Sequence, residues 1–279
     1  MIRSRPARAL FLTAAAVALL AGCQRDNRKA DEAPATAAES PTPAPLTYES
    51  KTPFAKVSLT LPEAIRSQPE LYKALYTQEV QDLMGYAEGA QADRTEAGSD
   101  SALPPYEKTI SYNGVVQTSR LFSAVRSDFD YSGGAHPNTV ATALLWDKTT
   151  GKRISAGDLF AKGADVTALE RALCEAINTA KKKRPGATPV STTSDTWSCP
   201  RVKSLTMVLA PGSVEGKAGG LTFLLDAYAV GPYVEGPYYL TLPTSAFQGV
   251  LNPTYADEFA GQPIKTGDVT EDLRRSPGD

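Results

Sequence analysis

Polar and apolar positions divide this chain into a leading apolar run, a stretch without large apolar side chains, and a long body in which strand and helix periods alternate. Residues 9–21 are apolar except for Thr13 and follow Arg3, Arg5 and Arg8. A run this short after a basic start is expected to be a signal peptide (1–22) rather than a lasting membrane span. Residues 23–45 are rich in Ala, Pro, Glu, Asp and Thr and cannot bury a core, so they are expected to form a disordered tether. As a flexible chain such a tether spans about 25 Å.

In the body, Val57, Leu59 and Leu61 alternate with Lys56, Ser58 and Thr60, the period of a half-buried strand. Ser67 and Glu70 read as a capping box for a helix whose apolar stripe is Tyr72, Tyr76, Val80, Leu83 and Ala87. Residues 106–131 are strand-like again, broken at Asn113 and Gly114, a pair that commonly makes a hairpin turn, with Leu121, Val125 and Phe129 on one face of the second arm. A strand over 140–146 follows, then a turn over 147–151. A second helix is expected over 166–183, burying Val166, Leu169, Leu173, Ile177 and Ala180, with Asp165 or Thr167 as its cap. Three more strands fall at 205–209, 221–228 and 238–242, and Pro243 can start a short helix to Leu251. The sum is an α+β fold: an antiparallel sheet of hairpins packed with two long helices and a short C-terminal helix. Residues 46–251 form the domain, with a division near 130 into subdomains of 46–130 and 131–251 left open. Residues 252–279, with Pro253, Pro263, Pro277 and many charges, are expected to be a weakly ordered tail.

Cysteine usage adds a location. Leu20, Ala21, Gly22 and Cys23 match the lipobox of bacterial lipoproteins, so Cys23 is the expected lipidation site and anchor. Gln24 follows it rather than Asp, which by analogy with lipoprotein sorting points to the outer membrane, facing the periplasm. Cys174 and Cys199 remain, and two cysteines in an oxidising compartment most simply pair. That bridge would staple the loop 185–200, rich in Gly, Ser, Thr and Pro. The net charge of −2 gives no electrostatic footprint for nucleic acid. The basic run Lys181, Lys182, Lys183 and Arg184 reads as the solvated end of the second helix.

The segment Asp130, Tyr131, Ser132, Gly133, Gly134, Ala135, His136, Pro137, Asn138, followed by Trp146, Asp147, the turn Thr149, Thr150, Gly151, Lys152, and then Asp158, Leu159, Phe160, resembles the exported RsiV-like domain. Gly220, Leu221, Thr222, Phe223, Asp226, Ala227, Tyr228, Ala229, Val230, Gly231, Pro232, Tyr233, Gly236, Leu242 and Pro243 are similar to that family's closing strands. The resemblance covers about residues 50–251. It implies a sensor-like binding module, found in a lysozyme-binding anti-sigma factor and beside a peptidoglycan deacetylase. The chain departs from both contexts: no later run is long and apolar enough to span a membrane, and one histidine cannot supply a deacetylase zinc site.

No catalytic residue, metal or cofactor is expected. His136 is the only histidine, and no glycine-flanked serine or phosphate-cradling loop accompanies it. The candidate binding residues are Tyr131, Gly133, Gly134, His136 and Asn138, where the two glycines permit positive φ, together with Tyr228, Tyr233 and Tyr238 in a Gly- and Pro-punctuated segment suited to projecting aromatics. Three readings follow. The first is a non-catalytic envelope lipoprotein binding a protein or peptidoglycan-related ligand, a lysozyme-like hydrolase among them. The second is a hydrolase using a carboxylate pair drawn from Asp128, Asp130, Asp147, Asp158, Asp226 and Glu235. The third is an envelope structural protein.

Overall fold

The computed structural model describes residues 43–96, 98 and 104–274. The expected signal peptide, Cys23 and all but the end of the tether lie outside the described residues. That end is docked: Arg66 Nη1 donates to the Ala44 carbonyl at 2.8 Å and the Tyr72 hydroxyl to that of Pro45 at 2.8 Å.

The described part is mixed α+β with two sheets. Strands β1 (Thr47–Lys51) and β2 (Ala55–Thr60) are followed by helix α1 (Pro69–Glu96), then β3 (Tyr106–Gln117), β4 (Leu121–Tyr131), β5 (Asn138–Asp147) and the short β6 (Lys152–Arg153). These six strands form one sheet in chain order. Helix α2 (Thr167–Lys181) leads to the second sheet, made of β7 (Thr206–Pro211), β8 (Ala218–Leu225), β9 (Tyr238–Pro243) and, after α3 (Pro253–Ala256), β10 (Gly267–Asp268), in the order β10-β9-β8-β7. Helix α4 (Thr270–Arg274) follows. Pairing is antiparallel except between β2 and β3, which run parallel because α1 crosses back between them.

Sheet faces and helices alternate in layers. Leu71, Leu75 and Leu83 of α1 pack on Ile110, Phe122 and Leu144 of the first sheet. On that sheet's other face, Val125 and Ala141 meet Val208, Leu224 and Tyr239 of the second. The small residues there allow close approach, and the Leu209 N–H donates to Ser123 Oγ at 3.0 Å. The second sheet's far face, with Met207, Phe223, Tyr238 and Leu240, is covered by Leu169, Leu173 and Ile177 of α2. Between the sheets, under α4, lies a mostly apolar cavity of about 250 Å³ with the hydrogen-bonded pair Thr222 and Thr241 on its wall.

Several expectations are corrected. The buried stripe of α1 is Leu71, Leu75, Glu79, Leu83 and Ala90, turned by one residue from the tyrosine stripe, which stays half-buried. Ser67 makes no capping box; its hydroxyl donates to the Ala64 carbonyl at 2.8 Å. Asn113 and Gly114 do not turn the chain. They form a bulge inside β3, with Gly114 at φ 58°, and the reversal comes after Gln117. Residues 243–251 form two 3-10 turns, Thr244–Ala246 and Gln248–Val250, rather than one helix, because Phe247 between them, at φ −144°, leaves the helical region. The tail reading fails for residues 252–274: Tyr255, Phe259 and Val269 are buried and β10 pairs with β9. Nor is there a division near residue 130, since the chain from Ala44 onward is one compact unit whose largest core joins Val116 and Leu121 to Phe223 and Tyr238.

Candidate functional site

The β4–β5 loop and the β8–β9 connection meet at one end of the molecule, through Pro137 and Tyr233, 96 residues apart in the chain. Gly133, at φ 87°, lets the β4–β5 loop turn. Gly134 has no positive φ, so only one of the two glycines is required by backbone conformation. His136 then projects outward and its ring stacks on Tyr233 with centroids 4.0 Å apart and planes 23° apart. The Tyr233 hydroxyl donates to the Pro137 carbonyl at 2.8 Å, tying the two loops together. Tyr228 lies against Tyr233 at 5.6 Å and is 56% exposed. It is the one non-glycine residue at positive φ among those described, at 70°. Val234 beside the stack is 89% exposed.

The β8–β9 connection is held from beneath by the basic end of α2. Lys181 Nζ, buried, donates to Glu235 Oε2 at 2.6 Å and to the Val230 carbonyl at 2.7 Å. Arg184 donates to the carbonyls of Glu235 and Pro237, lies 3.6 Å over the Tyr238 ring and pairs with Asp268 at 2.9 Å. The basic run is thus no simple solvated helix end, since two of its members clamp this loop.

Not every expected residue joins the surface. Tyr238 is 1% exposed: as the first residue of β9 it pairs with Leu225 and points toward α2, its hydroxyl bonded to Glu235 at 2.6 Å. Tyr131 is half-buried at the end of β4, where its carbonyl accepts from the Tyr86 hydroxyl at 3.2 Å. Asn138 is exposed and opens β5 opposite Asp130. Cys174 and Cys199 form a disulfide with Cα atoms 5.4 Å apart, at the far side of α2.

Two adjoining depressions continue from the aromatic stack. One, of about 450 Å³, is lined by Tyr233, Val234, Pro237, Thr139, Tyr239 and Arg274. The other, of about 330 Å³, shares the last three and extends over Ser111, Ser127 and Phe129. The result is an open trough with an aromatic end, hydroxyl groups along its floor and Arg274 on its rim. Sequence reasoning missed Arg274, which sits in the presumed tail, and Val234 and Thr139, which carry no local signal of exposure.

The carboxylates near the strand ends are engaged. Asp128 pairs with Lys108 at 2.5 Å and Arg126 at 3.0 Å, and Asp147 with Arg120 at 2.7 Å. Asp158 forms a capping box with Ser155. Asp226 accepts the Ala141 N–H at 3.1 Å and the Tyr239 hydroxyl at 3.3 Å, and burial raises its pKa above the usual aspartate value. Among the described residues no group of three or more His, Cys, Asp or Glu side chains is placed to hold a metal ion, and no helix is long and apolar enough to cross a membrane.

No protein-family model matches the sequence, and no curated protein does. The chain is similar in structure to a DUF3298 family member from Bacteroides fragilis, at 20% identity and a TM-score of 0.45 over 68% of this chain and 72% of that one. It is similar also to a DUF3298 family protein from Pseudomonas aeruginosa, at 20% identity and a TM-score of 0.49 over 78% of this chain and 99% of that one. Both of these structures are of DUF3298 family proteins.

Proposed function

We propose that this chain is a non-catalytic lipoprotein of the cell envelope, anchored through Cys23 at the outer membrane, whose aromatic face binds a protein or a peptidoglycan-related ligand, a lysozyme-like hydrolase among the candidates. The observation that carries the reading is the stack of exposed His136 and Tyr228 on half-buried Tyr233, with the two tyrosines on a clamped loop. Aromatic side chains supply contact area at low entropy cost, and holding them in place before binding reduces the ordering cost of association. The trough beside them is open rather than enclosed, and the neighbouring Asp128, Asp226 and Glu235 are committed to cations, backbone or hydroxyl groups, an arrangement that favours binding over carboxylate chemistry.

The test is retention of hen lysozyme and of purified peptidoglycan by the immobilised chain, together with a lysozyme inhibition assay. Retention of either, at micromolar concentration or below, is the expected result. Retention of neither would discard the reading. The anchor is tested separately: Cys23→Ser is expected to leave the membrane fraction for the soluble one.

A further inference from the structure

The binding surface proposed above borders a strand edge with unusual chemistry. β6 covers β5 only at Trp146 and Asp147, and the Ile154 N–H adds one bond to the Leu145 carbonyl. In an antiparallel pair, alternate residues turn their N–H and C=O groups to the same side. The Ala141 N–H turns away from β4, since it donates to Asp226. Thr139 and Ala143 share its parity, so their N–H and C=O groups face outward too, without a backbone partner among the described residues. The outward groups from Thr139 to Ala143 span about 13 Å.

This edge is not blunted as the others are. β1 carries Glu49 and Lys51, β10 is two residues long, and β7 ends in Pro211. Residues 139–143 read Thr, Val, Ala, Thr, Ala: uncharged, largely β-branched, with Val140 41% exposed. Charges, brevity and proline are the usual protections against unwanted strand pairing; here a carboxylate caps the central N–H, Ala141 is buried, and Thr139 and Ala143 are half-buried. Asp226 reaches that N–H from the β8–β9 connection, which also carries Tyr228 and Tyr233, while His136 and Pro137 lead directly into β5.

We infer that the outer edge of β5 takes an extended peptide segment of another protein as an added strand, with Thr139 and Ala143 supplying backbone pairing and the His136, Tyr233 and Tyr228 stack receiving a side chain at one end. Asp226 occupies the central position until a peptide carbonyl replaces its carboxylate there. A second copy of this chain is a poor occupant, because edge-to-edge pairing about β5 would bring two Asp226 carboxylates together without a cation between them. The inference rests on the reading of this face as a binding surface and adds the mode of recognition.

The probe is a displayed library of random linear dodecapeptides, selected against the full chain, with residue-resolved hydrogen exchange on the complex of the best peptide. Enriched peptides are expected to slow exchange at Thr139 and Ala143 by at least tenfold while leaving Val140 and Thr142, already paired with β4, unchanged. Ala143→Pro removes one outward N–H at a position where proline is tolerated in edge strands, and is expected to weaken the peptide at least tenfold. Should that variant not fold, exchange in the unaltered chain decides alone. No enrichment, peptides that protect other amides, or a concentration-dependent dimer that protects these same amides would each overturn strand addition. Retention of lysozyme or peptidoglycan in those cases would leave the binding surface standing; its loss as well would remove both.

Discussion

Tyr228 occupies a backbone region that an L-tyrosine enters only at a cost, of about 1 kcal/mol, and the side chain so placed is turned into solvent beside Tyr233 rather than into the core. If stability alone governed this position, glycine would serve as well. Tyr228→Gly is therefore expected to leave the melting temperature unchanged or slightly raised while weakening ligand binding; a clear fall in melting temperature would mean that the tyrosine is structural. Burial pushes the carboxyls of Glu79, Asp147, Glu235 and Asp268 up, but their bonds to Arg126, Arg120, Lys181 and the Thr270 hydroxyl more than reverse this, so each ends below its ordinary value. An acid with a depressed folded pKa contributes stability that is fully present above its unfolded value, about 4, and is lost as pH falls through the folded value. Asp226 is raised and has the opposite sign, gaining as pH falls through its elevated value. The depressed acids, with Glu258 and Asp165 also among them, outnumber Asp226, so the urea midpoint is expected to hold from pH 7 to about 5 and to drop below about 4. A midpoint that rose on acidification through that range would contradict the assignment.

At the scale of elements, α2 was legible and α1 only partly so. Leu169, Leu173, Ile177 and Ala180 sit where their spacing places them because one apolar face meets one sheet. On α1 the aromatic positions masked the rotation: Leu71, Leu75 and Leu83 face the sheet, while Tyr72 and Tyr76 lie along the margin and send their hydroxyls to backbone carbonyls of residues 45 and 47. Local pattern also could not show that Asn113 and Gly114 are a bulge, because what decides it is Leu273, from the far end of the chain, in the space where a side chain at position 114 would stand. The clamp under the β8–β9 connection was hidden for the same reason, since Lys181 and Glu235 are 54 residues apart. Lys181→Met would leave the Glu235 carboxylate buried without its cation and is expected to cost about 3 kcal/mol. Faster amide exchange across residues 231–236 should accompany that loss. Exchange no faster than in the unaltered chain would show that the loop does not depend on the clamp.

At the scale of the molecule, the class of fold and the choice of two motif segments as candidate binding residues could be anticipated, since both segments carry turn residues and aromatics that a core does not need; that the two meet could not. The second sheet's closure could not. Tyr255, Phe259 and Val269 are too sparse for any period to reveal, yet they are buried against β7–β9 and α2, and Glu258 accepts from Ser119 and the Arg120 N–H at 2.8 and 2.9 Å. A chain ending at residue 251 is thus expected to lose its cooperative thermal transition, whereas a dispensable tail would leave it intact. The same segment brings Arg274 to the trough that continues from the aromatic stack.

The most direct measurement is titration calorimetry of whichever of lysozyme or peptidoglycan fragments the chain retains, comparing it with the Tyr228→Ala, Tyr233→Ala double variant. Loss of affinity by about a hundredfold, of the order of two aromatic hot-spot residues, with an intact cooperative melt, is the predicted result. Undiminished affinity in a folded double variant would contradict the account.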